Sequence, residues 1–147
     1  MRKLIKITLS SFLLLIIFVF VLSACGAGKV KIEDHEWKMR YVMHGEDNQL
    51  VVDAASEEND THPEAKILDM TLIAKDGKIT ITDTTNNKTY EGTYTVESKT
   101  PAGTDYKITI DGKSGYATVA MTTYADGNEE PTLPINLAGY SIYFYAK

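Results

Sequence analysis

From Glu33 onward apolar and polar residues alternate with a period of two, the pattern of strands with one buried face. Glu33 to His44 places His35, Trp37, Met39, Tyr41 and Met43 on one side, and Glu36, Lys38, Arg40 and Val42 on the other. Lys66 to Lys75 is nearly continuous, and Ile67, Leu68, Met70, Leu72 and Ile73 predict burial on both faces. Asp76-Gly77 then turns the chain into Lys78 to Thr82, and Asn86-Asn87 turns it into Thr89 to Val96. There Tyr90, Gly92, Tyr94 and Val96 share a face opposite Thr89, Glu91, Thr93 and Thr95. After the loop 99–103, Tyr106, Ile108 and Ile110 alternate with Lys107, Thr109 and Asp111. Asp111-Gly112 is a further hairpin signal, followed by Ser114 to Thr123 with Ala117, Val119 and Met121 in phase. A polar loop over 126–131 precedes Thr132 to Ile135, and Tyr140 to Tyr145 closes the chain.

Seven to eight short strands joined mostly by tight hairpins, with no convincing helical period, predict an all-β domain. The expected architecture is a small up-and-down antiparallel β-barrel of about eight strands, which leaves no exposed edges. Such a barrel has room for its own side chains or for one small ligand. A β-sandwich fits less well, because its Greek-key crossovers need longer connections. Gly45 to Glu64 is the longest insertion. Its stretch 49–55 suits a strand or one or two helical turns, and its seven carboxylates predict a solvated loop over the barrel mouth.

The first 24 residues follow another pattern. Arg2, Lys3 and Lys6 precede an uncharged apolar run from Phe12 to Leu22, and small residues follow. This is the layout of a secretory signal. Leu22-Ser23-Ala24-Cys25 resembles the bacterial lipobox. The resemblance implies that Cys25 receives a diacylglyceryl group and becomes the first mature residue, anchored by its lipid on the extracytoplasmic side of the cell membrane. The domains expected are a lipoprotein signal peptide over 1–24, an anchor and short linker over 25–32, and the barrel over 33–147.

Composition sharpens this division. The whole chain of 147 residues has a formal charge of −5, which argues against a broad nucleic-acid footprint. Cleavage before Cys25 leaves 123 residues and removes three basic residues but no acid, so the mature charge is −8. An acidic body is held off an anionic membrane, with only the acyl chains inserted. Leu, Ile, Val and Phe supply only 21 of the 123 residues, whereas nine Tyr and 16 Thr favour strands. A single cysteine excludes a disulfide framework within one chain.

Several short motifs resemble the lipocalin-like (calycin) group of small bacterial lipoproteins. They are Glu36-Trp37-Lys38-Met39 in a first strand, the hairpin Leu72 to Thr80 around Asp76-Gly77, Gly92-Thr93-Tyr94, and the closing strands Thr132 to Ile135 and Tyr140 to Phe144. The likeness covers roughly residues 33–147. It departs at position 35, where His stands in place of the Gly of Gly-x-Trp, and no late-strand arginine covers the tryptophan. The resemblance implies a calycin barrel that carries a hydrophobic molecule.

Trp37, Met39, Tyr41, Tyr90, Tyr94, Tyr106 and Tyr116 are the candidate lining of a ligand pocket, since aromatic rings with polar tips suit an amphipathic guest. The same residues equally fit a filled core in which Tyr replaces scarce Leu and Phe. His35, Met39, Met43 and His44 have soft-metal chemistry, but strand spacing spreads them apart, so no metal and no cofactor is expected. The acids of 46–64 lack the calcium-loop spacing. No nucleophile elbow, His-Glu-x-x-His or phosphate loop occurs, and no enzymatic activity is expected. The expected partners are the membrane, through the N-terminal lipid, and a small hydrophobic ligand, with no nucleic acid. The rival expectation is a filled barrel that binds an envelope or external protein.

Overall fold

A computed structural model describes residues 30–54 and 68–147. The proposed signal peptide, Cys25, Ile67 and the second half of the acidic insertion, 55–64, lie outside the described residues. A short 3-10 turn, η1 (Ile32–Asp34), precedes nine strands. They are β1 (Trp37–His44), β2 (Leu50–Asp53), β3 (Met70–Lys75), β4 (Lys78–Asp83), β5 (Lys88–Thr100), β6 (Gly103–Ile110), β7 (Lys113–Thr123), β8 (Glu129–Leu137) and β9 (Tyr140–Ala146).

Strands β3 to β9 form one antiparallel meander, and β1 closes it by pairing with both β9 and β3. The result is a closed eight-stranded up-and-down barrel with β2 as an extra strand. β1 serves two neighbours on one edge. Trp37 and Lys38 pair with Leu72 and Thr71 of β3, whereas Tyr41 to Met43 pair with β2.

The hairpins follow the turn chemistry of the sequence. Asp76-Gly77 and Asp111-Gly112 all have positive φ, as the primed two-residue turn requires. The β8–β9 hairpin repeats this geometry with Ala138-Gly139, where Ala138 sits at φ 52° without a turn-forming side chain.

Alternation sends Leu72, Ala74, Ile79, Ile81, Ile108, Ile110, Ala117, Val119, Leu133, Ile135 and Phe144 into one continuous core. Three expectations about which side chains face inward are corrected. Ile73 points outward and is 54% exposed, so β3 is buried on one side only. In β1 a bulge at Arg40 separates the pairs Met39↔Phe144 and Tyr41↔Tyr143. The extra residue reverses the phase, so Val42 is buried and Tyr41 joins Tyr143 on the outer wall. Tyr41 and Met43 therefore do not continue the inward row begun by Trp37 and Met39. Tyr116 also faces outward, at 55% exposure, because it lies out of phase with Ala117 and Val119.

Candidate functional site

The barrel has two dissimilar ends. β1 begins at one of them, and η1 lies across it. Ile32 is completely buried there, and its backbone N–H donates to the Tyr106 hydroxyl at 3.2 Å. The Trp37 indole N–H donates to the Ile32 carbonyl at 2.8 Å. The Tyr94 hydroxyl donates to the Glu33 carboxylate, and the Tyr94 and Tyr106 rings meet edge to face at 5.7 Å. Burial, with the Glu33 bond second, pushes the Tyr94 hydroxyl up to about 12. The plug is thus apolar where it touches the core and hydrogen-bonded where its backbone would otherwise be orphaned.

The opposite end is a mouth. A cavity of about 170 Å³ opens there, lined by Met70, Ile81, Tyr90, Ile110, Leu137, Ile142 and Phe144, with Asp111 and Lys113 at its rim. Each apolar wall residue is the inward-facing member of its strand near the mouth, supplied by β3, β4, β5, β6, β8 and β9. β7 supplies Lys113 at the rim and no apolar side chain to the wall. Its inward position is Gly115, where an added Cβ would stand 2.2 Å from the Asn136 carbonyl oxygen and 2.9 Å from Leu137 Cδ1. The glycine lets β7 and β8 pack closely, and no apolar side chain of β7 enters the cavity wall. A dry cavity of roughly 150 Å³ lined by aliphatic and aromatic groups accommodates a benzene-sized guest.

Of the sequence-predicted pocket residues, Tyr94 and Tyr106 are brought together and line a cavity of about 220 Å³ beside Ile32 and Glu33, whereas the others lie apart from them. Trp37 and Met39 lie in the core, and Tyr94 and Tyr106 pack at the plugged end. Tyr41 and Tyr116 lie on the outer wall, and only Tyr90 lines the mouth cavity. Of the remaining apolar lining, Ile110 was legible as an inward strand position, and nothing in the alternation marks which end of a barrel is plugged.

Tyr41 instead belongs to an outer aromatic cluster. It stacks on Tyr143 at 4.5 Å, and its hydroxyl lies 3.4 Å from that of Tyr145. Arg40 lies 4.0 Å over the Tyr145 ring and is paired to Glu130 at 2.6 Å. Loss of hydration, then the neighbouring Tyr145, raises the Tyr41 hydroxyl well above the usual phenol range.

Among the described residues no three His, Cys, Asp or Glu side chains group as metal ligands. His35 packs edge-on against Trp37 at 5.4 Å, while His44 pairs with Asp47 at 3.0 Å near the mouth. The chain matches no family model, no curated protein and no solved structure. Its closed antiparallel barrel is consistent with a calycin-like architecture.

Proposed function

We propose that this chain is a bacterial lipoprotein, anchored through Cys25 on the extracytoplasmic side of the membrane, whose calycin-like barrel binds a small hydrophobic or lipid-like molecule without catalysing a reaction on it. The observation that carries the binding role is the apolar cavity at the end opposite η1. The anchor rests on the lipobox, Leu22 to Cys25. Five residue steps separate Cys25 from Val30, a reach of at most about 18 Å. An anchor at Cys25 therefore holds the plugged end toward the bilayer and turns the mouth away from it.

Native mass spectrometry of residues 26–147 purified from bacterial cells tests the binding role. A recurrent small-molecule adduct is the expected result, and a clean apo mass under gentle desolvation counts against carriage. The anchor is tested separately in the full chain. Cys25→Ala should remain uncleaved and lack the lipid mass. A wild-type chain that itself keeps residues 1–24 and carries no lipid contradicts the anchor.

The outer cluster favours a second reading, a docking surface for a protein partner. Arg and Tyr are over-represented at binding hot spots, and Arg40, Tyr41, Tyr143 and Tyr145 lie together on one wall. Crosslinking in cells followed by partner capture, repeated with Tyr143→Ala, separates this reading from carriage. Loss of a specific crosslinked species in the variant supports docking.

A further inference from the structure

The mouth has a charge pattern of its own. Ile110 and Lys113 are cross-strand partners in the β6–β7 hairpin, and such partners project to the same side of a sheet. Ile110 is buried in the barrel, so Lys113 occupies an inward position as well, in phase with Gly115, Ala117 and Val119. A lysine thus stands where the alternation of β7 calls for an apolar side chain, at the rim of an apolar cavity. It makes no ion pair among the described residues, and neither does the neighbouring rim residue Asp111. The half-buried Tyr90 on the same cavity has a hydroxyl without a hydrogen-bond partner among those residues.

One layer above, Lys88 repeats the arrangement. It pairs across the sheet with the inward, buried Asp83. The Asp83 carboxylate is already engaged, accepting from the Asn86 backbone N–H at 3.0 Å and from the Asn86 side-chain amide at 2.8 Å. The inner rim of the mouth therefore carries two ammonium groups that make no ion pair among the described residues, in a chain whose formal charge is −5. Asp111, in the turn itself, and the buried Asp83 are the opposing carboxylates there.

We propose that the ligand of this cavity is an anionic amphiphile. Its apolar part lies among Ile81, Ile110, Leu137 and Phe144, and its carboxylate or phosphate head is held by the Lys113 ammonium with the Tyr90 hydroxyl as a second donor. The proposal rests on the ligand-binding reading of the same cavity and adds the sign of the head. Charge complementarity selects the head, and the cavity volume limits the inserted part to a short chain or a single ring. A head group at the rim remains partly hydrated, so its pairing contributes selectivity rather than most of the affinity.

The test compares octanoate, octyl phosphate, 1-octanol and octylamine, titrated into residues 26–147 and followed by amide chemical shifts of mouth residues. Octanoate and octyl phosphate are expected to bind about fivefold more tightly than octanol, with octylamine weakest. Lys113→Met should bring octanoate to the level of octanol without weakening octanol, and Lys113→Arg should retain the preference. Equal binding of octanoate and octanol, or an unchanged preference in Lys113→Met, overturns the anionic head while leaving apolar binding intact. Preference for octylamine also overturns it and assigns the head to Asp111. If no probe shifts the mouth residues, the ligand-binding reading falls first and this proposal with it.

Discussion

The two ends of the barrel are made by the same strands yet finished in opposite ways. At one end η1 inserts Ile32 over Trp37 and Tyr106, and the plug's backbone is tied by hydrogen bonds to both. At the other, Met70, Tyr90, Leu137 and Ile142 remain half-buried around open space. A chain poor in aliphatic residues concentrates its largest side chains where they seal the fold, and leaves the mouth thinly packed. The comparison separates a stabilising end from an end available for binding.

Substitutions can break that separation. Trp37→Ala removes the largest buried side chain and the bond to Ile32, and should cost about 3–5 kcal/mol by chemical denaturation. Ile32→Ala should cost about 2–3 kcal/mol, since its side chain is wholly buried in the plug. At the mouth, Leu137→Ala should cost less than about 1.5 kcal/mol, because this side chain already faces open space. Equal costs at the two ends would end the distinction. Ala138→Asn should stabilise by about 0.5–1 kcal/mol, since asparagine tolerates the left-handed backbone that alanine resists. A melting temperature raised by about 3–5 °C would record the gain.

The plugged end also predicts a pH dependence. The Tyr94 hydroxyl is held protonated up to about 12 by burial and by Glu33, above the ordinary value of 10.0. A group whose folded value is raised contributes stability that is fully present below its unfolded value. That contribution is lost as pH rises from about 10 through 12. Tyr94→Phe should flatten the loss of stability across this window, and an unchanged profile would detach Tyr94 from the plug's alkaline behaviour.

Much of the barrel was legible because the chain states it locally. Asp76-Gly77 and Asp111-Gly112 specify their turns, and alternation in β4, β6 and β7 specifies the buried face. The inward phase of β1 was legible only as far as Met39. One extra residue at Arg40 reverses every later side chain, and nothing in the alternation of that stretch announces it. β2 was an open choice between strand and helical turn, resolved by its pairing with β1 rather than by its own residues. The Ala138-Gly139 turn lacks the side chain that usually advertises such geometry. The sequence-predicted lining and the mouth cavity differ for a related reason. Aromatic character marks buried positions at both ends of this barrel, whereas the mouth cavity is walled mainly by ordinary aliphatic positions.

The divided edge of β1 has a kinetic consequence. β6 is joined to β7 along its whole length, from Gly103↔Ala120 to Ile110↔Lys113. β1 meets β3 only at Trp37↔Leu72 and Lys38↔Thr71. Amide protons along β6 and β7 should exchange with solvent only when the whole domain unfolds, whereas those of β3 facing β1 should exchange through smaller openings. The closed barrel thus has a seam, and the seam is where its wall first parts.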